Sequence, residues 1–275
     1  MPSVNKRGLG FGIFTNKMST LKISYIIEIT KRDFAERFAG SVLGSLWAII
    51  WPMVNLFIYI VIFGKVMGAR LPGTSDMNAY GVYLATGLIP WTAFAATINR
   101  CTSVFLDKKH IITKVNTSFS SLLLHIHLSE TITYIISMLV FFIILAFQGY
   151  EFHRSLLLLP FLYYLQQLLA LGIGLFAAVL NVFIRDVREI TGVILQLWFW
   201  FTPIVYISNI LPQFVQKLIA YNPAYIIIES YHRIFVFNEY PSFKSLMLLT
   251  IMTHFILFFS FLMLRYLEKD IRDFL

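Results

Sequence analysis

The closest this chain comes to a phosphate-binding loop is Gly64-Lys65, and it fails on both sides. Tyr59 stands where the first glycine is needed, and Val66 stands where a hydroxyl should follow the lysine. A P-loop needs those residues because backbone amides and an ammonium must cradle phosphates together. The run GLGFG at 8–12 opens no βαβ pattern and reads as a tail. GxSxG, HExxH and CxxC are all absent from the sequence. The histidines are scattered, and His125 and His127 point to different faces of a helix. Cys101 is the one cysteine, which rules out intrachain disulfides and cysteine-based metal clusters. No catalytic residue, metal site or cofactor is therefore expected in this chain. Ionisable groups deep in apolar sequence are scarce too, Glu130 being the main one. Ion-coupled carriers depend on such groups, so secondary transport is disfavoured.

What remains is recognition chemistry. Trp47, Trp51, Asn55 and Tyr59 recur every four residues and share one helix face. Aromatic rings stack on sugar faces while polar tips bond hydroxyls, so this stripe can line a polymer path. An aromatic belt at the membrane interface is the competing reading. Trp198, Phe199, Trp200 and Phe201 form a second aromatic group. Consecutive residues cannot all face a channel, and Trp198 and Trp200 are the candidates. Gln166 and Gln167 fit either a path or hydrogen bonds between helices.

These residues must be positioned by membrane helices. Of the 275 residues, 58% are hydrophobic and 13% charged, and mean hydropathy is +0.75. The bilayer is the solvent such a chain requires. Lipid demands internally satisfied backbones, and the segments are continuously apolar rather than alternating, so the fold is all-α. Spans are read at 45–68, 80–99, 122–148, 156–183, 187–207 and 244–265, within one membrane domain over 1–275. Pro52, Pro90 and Pro203 are candidate kinks. The segment 208–243, broken at Asn222-Pro223, reads as a re-entrant or surface helical pair.

With both termini in the cytoplasm, most of the 22 lysines and arginines lie inside, as the positive-inside rule asks. The net charge of +8 is then topological, and nucleic-acid binding is not indicated. The first twenty residues lack the apolar core of a secretory leader.

Three cytoplasmic pieces follow. Residues 19–38 form an amphipathic helix, with Ile23, Ile26, Ile27, Thr30, Phe34 and Phe38 on one face and Glu28, Arg32, Ala35 and Glu36 opposite. Arg37 falls on the apolar stripe, where it snorkels or the helix ends. The helix lies on the membrane surface, alone or with its polar face (Arg32, Glu36) toward a partner. The loop 101–116 carries Asp107, Lys108, Lys109 and His110 and is either a solvated turn or a short docking helix. Arg185, Asp186, Arg188 and Glu189 sit so near the bilayer that local pairing is expected.

The runs RFAGSVLGSLWAIIWPMVNLFIYIVIFGKVMG (37–68), YLATGLIPWTAF (83–94), NVFIRDVREI (181–190), FTPIVY (201–206) and YNPAY (221–225) together resemble the ABC-type polysaccharide-export permeases. Their order and spacing cover most of the chain. Within that family the likeness is strongest to permeases exporting lipid-linked O-antigen, with capsule and teichoic-acid exporters close by.

The resemblance implies a type-2 ABC exporter permease in the bacterial inner membrane. It implies a homodimer of six-span subunits with two separate ATP-binding cassette subunits, ATP and Mg being held by those partners. The substrate implied is an undecaprenyl-linked polysaccharide. The leading helix would be the interface helix, 101–116 the coupling loop and 208–243 the periplasmic gate helices. The sequence departs from the family at Ala39, where a basic or polar residue is usual, leaving Arg37 as the nearest charge for a lipid pyrophosphate. A drug or lipid permease of similar architecture is the alternative. A membrane enzyme acting on isoprenoid-linked sugars is less favoured, because no acidic or nucleophilic cluster is present.

Overall fold

The computed structural model describes residues 24, 26–66, 79–114 and 118–275. The GLGFG run, residues 19–23 and 25 of the leading segment, 67–68 of the first span and 115–116 of the coupling loop lie outside the described residues. Among the described residues the chain is helical, with no strand. Helix α1 covers 26–37. It is followed by α2 (Trp47–Phe57), which continues as a π-helical stretch over Ile58–Val66. Then come α3 (Ala79–Asp107), α4 (Lys109–Lys114), α5 (Phe119–Phe147) and α6 (Leu159–Phe183). The chain closes with α7 (Val187–Phe201), α8 (Gln213–Ile219), α9 (Pro223–Phe235) and α10 (Phe243–Phe274).

Four of the described helices are long and apolar enough to cross a membrane: Ala79–Asp107, Phe119–Phe147, Arg154–Phe183 and Phe243–Phe274. The segments read as spans one and five are shorter. The apolar helix of the first is Trp47–Phe63. The fifth stops at Phe201 instead of running to 207, because Thr202 precedes Pro203. A residue before proline is pushed out of the helical region, and Thr202 sits at φ −108, ψ 123. Pro203 thus ends a helix, whereas Pro52 and Pro90 lie inside theirs. Two other helices outrun their expected ends. α3 continues through Arg100 to Asp107, so the first half of the 101–116 segment is helix and only α4 stands apart. α10 continues past 265 to Phe274.

Chain direction follows from the core. One apolar cluster joins Cys101 and Phe105 of α3, Phe119 and Leu122 of α5, Val179 and Val182 of α6, and Leu264 and Ile271 of α10. These are the C-terminal ends of α3, α6 and α10 and the N-terminal end of α5, so α5 runs against the other three. α1 and α4 belong to this end. The connection after α5 and helices α8 and α9 belong to the other.

Helix α6 is the centre of the bundle, and glycine makes it so. A Cβ on Gly174 would lie 2.6 Å from Cys101 Cβ of α3, and one on Gly172 would lie 3.1 Å from the Leu257 backbone nitrogen of α10. Helices in lipid gain no hydrophobic drive from each other, and small residues let them close on one another for dispersion contact. Gln166 Nε2 donates to the Pro90 carbonyl at 2.9 Å, and Gln167 Oε1 accepts from Thr97 Oγ1 at 2.9 Å. Both glutamines therefore bind α6 to α3.

At the far end the family-like runs meet. Tyr83 Oη donates to the Tyr206 carbonyl at 2.8 Å and Tyr80 Oη to the Val205 carbonyl at 2.9 Å. His232 Nε2 and Ile204 Cγ2 would each lie 3.0 Å from a Cβ on Gly87. Asn222 caps α9, its side chain accepting from the Ala224 amide at 3.0 Å. Pro223 takes the first helical position, where its missing N–H costs nothing. The helical break at Asn222-Pro223 is thus as the sequence indicates.

Candidate functional site

Glu130 anchors the site. It is the twelfth of the 29 residues of α5, with only 4% of its side chain exposed. Carboxylate burial of that degree demands pairing. Two guanidinium groups supply it: Arg37 Nη2 of α1 and Arg100 Nη1 of α3 each approach Glu130 Oε1 at 2.6 Å. Arg100 Nη2 also reaches Asp33 Oδ1 at 2.5 Å, and Arg37 Nη2 stands 4.0 Å from Asp33 Oδ2. Ser129 and Thr133, on the same stretch of α5, accept further bonds from Arg37 at 3.2 and 3.1 Å. Burial works against a charge on Asp33, but hydrogen bonding to Ser129 and to Arg100, with the charge of Arg100, outweighs it and holds its carboxyl below the ordinary value.

This ion-pair knot ties three elements together. Asp33 and Arg37 come from one helical face of α1, four residues apart. Arg37 lies on the apolar stripe and turns into the bundle toward α5. Elsewhere on α1 Thr30 is buried and Glu28, Arg32, Ala35 and Glu36 are exposed, as the amphipathic reading has it, but Ile27, read on the apolar face, is 45% exposed. The roles of Asp33 and Arg100 were not legible in the sequence. The one available signal was Glu130, an isolated acid within an apolar segment.

Beside the knot opens the largest of the cavities described, about 500 Å³, lined by Arg37, Ser41, Trp47, Trp51 and Thr133 among others. A second, about 190 Å³, is lined by Trp51, Asn55, Tyr59, Thr92, Thr133 and Ser137. The two share Trp51, Pro52 and Thr133, so they adjoin as one groove along α2, walled by α5 and α3. All four stripe residues line it. The Trp47 and Trp51 ring centroids are 6.0 Å apart, and Trp47 Nε1 donates to Ser41 Oγ at 2.8 Å. From Trp47 to Tyr59 the stripe spans about 18 Å at 1.5 Å per residue. Indole faces, an amide, a phenol and four hydroxyls along one groove suit a ligand that offers flat apolar faces and many hydroxyls.

Trp198 and Trp200 part company. Trp198 points into the bundle, edge-on to Trp91 and Phe94, and its Nε1 donates to Asn222 Oδ1 at 2.8 Å. Trp200, two residues on and so on the other side of α7, is 58% exposed. At the knot end, Lys108 Nζ lies 3.9 Å from Glu36, linking the start of α4 to α1. Asp107 accepts from Ser103 Oγ at 2.5 Å, and His110 is exposed. Lys109 begins α4. Arg32 pairs with Glu28 of its own helix at 3.3 Å.

Arg185, Asp186, Arg188 and Glu189 are all exposed. Among the described residues they form no ion pair with one another, contrary to the local pairing expected. The chain leaves α6 extended at Ile184, φ −130 and ψ 102.

The ABC-2 type transporter family matches residues 25–236. The chain is 30% identical over 212 residues to the O-antigen export system permease protein RfbA of Klebsiella pneumoniae, covering 77% of this chain and 80% of that protein. It is 26% identical over 226 residues to the protein of that name from Myxococcus xanthus, covering 82% and 85%. Against the polysialic acid transport protein KpsM of Escherichia coli the identity is 25% over 204 residues, 72% of this chain and 76% of that one.

Proposed function

The chain belongs to the ABC-2 type transporter family, and from that premise we propose that it is the membrane subunit of a polysaccharide exporter driven by a separate ATPase. The observation that carries the reading is the groove: Trp47, Trp51, Asn55 and Tyr59 aligned beside α5, with Arg37 at one end. A sliding polymer needs a row of weak, similar contacts, since one tight site would stall it. The substrate is an undecaprenyl-linked glycan of the O-antigen kind, in keeping with the relatives named RfbA. The likeness to the polysialic acid transporter supports capsule export as the second reading.

Two copies of the chain face each other across the conduit, each crossing the bacterial inner membrane six times with both termini in the cytoplasm. In the six crossings α2 and α7 join the four long helices, and α8 and α9 form the periplasmic gate. α4 and the polar face of α1, joined by Lys108 and Glu36, receive the ATPase, which holds ATP and Mg. Nucleotide binding there shifts the population between closed and open conduit.

The test is reconstitution. Vesicles holding this chain and its cassette partner should move lipid-linked glycan only with ATP, and the chain alone should hydrolyse none. Reversing Asp107, Lys108 and Lys109 together should weaken recovery of the partner with the purified chain while insertion stays normal. Hydrolysis by the lone chain would overturn the separate-ATPase reading, and assembly and export indifferent to the reversed charges would return 101–116 to a solvated turn.

A further inference from the structure

Helix α5 is peripheral in the bundle, with Ile132, Ile135, Leu139 and Ile143 exposed along it. Yet the stretch 129–134 bonds to four other elements. Ser129, Glu130 and Thr133 hold Arg37 of α1, and Glu130 also holds Arg100 of α3. Thr131 Oγ1 accepts from Tyr163 Oη of α6 at 2.9 Å. Tyr134 stacks on Tyr163 with centroids 3.9 Å apart. Its hydroxyl lies 2.8 Å from the hydroxyl of Tyr231 on α9, and both tyrosines are buried.

The same short segment therefore grips α1 on one side and α9 on the other. Glu130 and Tyr134 are four residues apart and lie on one face, so a rotation of α5 moves both together. The contact to α9 is directional. A hydroxyl–hydroxyl hydrogen bond fixes the two rings against each other, whereas the apolar packing of α9 residues such as Ile226, Ile227 and Ile234 in the same core has no preferred direction. At the other end α1 is held to α5 and α3 by the ion pairs and joined to α2 by a glycine-containing link. The link from α1 to α2 contains Gly40 at φ 79 and Gly44 at φ 50, with nothing within 4 Å of where a Cβ would stand. Such backbone is open to glycine and strained for other residues. A displacement of α1 is thus absorbed by its linker and passed on through Arg37.

We infer that residues 129–134 of α5 are the connector by which movement of α1 reaches α9, with Tyr134 and Tyr231 as positioning residues at its outer end. The inference rests on the exporter reading, in which α1 moves with the ATPase. It makes a direct claim of energetic coupling, and coupling is established by measurement, not by adjacency.

The experiment uses the full complex with an environment-sensitive fluorophore on Tyr221→Cys, which lies at the junction of α8 and α9 and is 69% exposed. In the otherwise native complex, trapping nucleotide on the ATPase should shift its emission. The double variant Tyr134→Phe, Tyr231→Phe removes both hydroxyls and keeps both rings. Replacing both partners of a hydrogen bond by apolar groups of the same shape is nearly neutral for stability, so its thermal midpoint and ATP hydrolysis should stay at the native level. The emission shift should vanish and export should fall by about fivefold or more, the low end of site-to-site coupling.

A double variant with native shift and native export overturns the inference and leaves the exporter reading standing. A double variant whose thermal midpoint falls along with export shows a merely structural pair, and the inference falls likewise. Absence of both export and emission change in the native complex would bring down the exporter reading and the inference with it.

Discussion

Glu130→Ala should be among the most damaging single substitutions in this protein, lowering stability by about 3 kcal/mol, the lower bound for breaking a buried ion pair. The reason is asymmetry. Glu130 neutralises Arg37 and Arg100 at once, each at 2.6 Å. Removing it leaves two guanidinium groups facing each other with only Asp33 between them. The arginines keep 27% and 29% side-chain exposure, so water takes up part of the loss, and the lower bound applies. Glu130→Gln should recover part of the loss by keeping a hydrogen-bond acceptor. Combining Glu130→Ala with Arg37→Met should also recover part, because the orphaned charge leaves with its partner. The thermal midpoint of the purified protein reads all three. Equal midpoints for native and Glu130→Ala protein would mean that the knot contributes nothing to the fold.

The second large effect is expected on transport. Trp51→Ala with Tyr59→Ala should slow export by about thirtyfold while ATP hydrolysis by the complex continues, since each of the two stacking contacts is worth about 1 kcal/mol. Either change alone should have a modest effect. The interface-belt reading of these residues makes the opposite forecast: lower abundance in the membrane with normal export per molecule. Thiol accessibility separates the two directly. Cys101 is fully buried, 0% exposed, and Cys101→Ala clears the background. Cysteines placed at positions 47, 51, 55 and 59 should react with aqueous reagents in at least one nucleotide state. Silence at all four positions in every state would mean they face lipid.

How much of this was legible from sequence varied with the kind of force involved. Hydropathy located the long helices α3, α5, α6 and α10, because lipid burial acts on every residue of a span. The Asn222-Pro223 break was legible because capping and proline chemistry are local. The early stop of α7 was equally local, written in Thr202-Pro203, but a continuous apolar run masked it. The extension of α3 was missed for the reverse reason. Arg100 and Asp107 read as loop, although Cys101, Val104 and Phe105 continue the buried face. The four aromatic and polar groups of α2 could be placed on one stripe, since periodicity states which residues share a face. It cannot state what faces them. Arg37, Arg100 and Glu130 are about 30 to 90 residues apart in the chain, and their meeting depends on how three helices pack.

The brevity of α7 carries a consequence for the membrane around this protein. Its 15 residues reach about 22 Å, whereas a bilayer core is about 30 Å thick. The run that follows to Tyr206 is non-helical, and its Val205 and Tyr206 carbonyls are met by the phenols of Tyr80 and Tyr83. On the six-crossing reading, lipid beside α7 must compress to match it, at a cost that grows with every added methylene. Acyl-chain length then acts as a control on the exporter. In vesicles of graded chain length its rate should be highest in the thinner bilayers, and a rate flat across the series would show that α7 never meets the lipid. A cell that lengthens its acyl chains would load the outer half of this crossing without touching the ATPase.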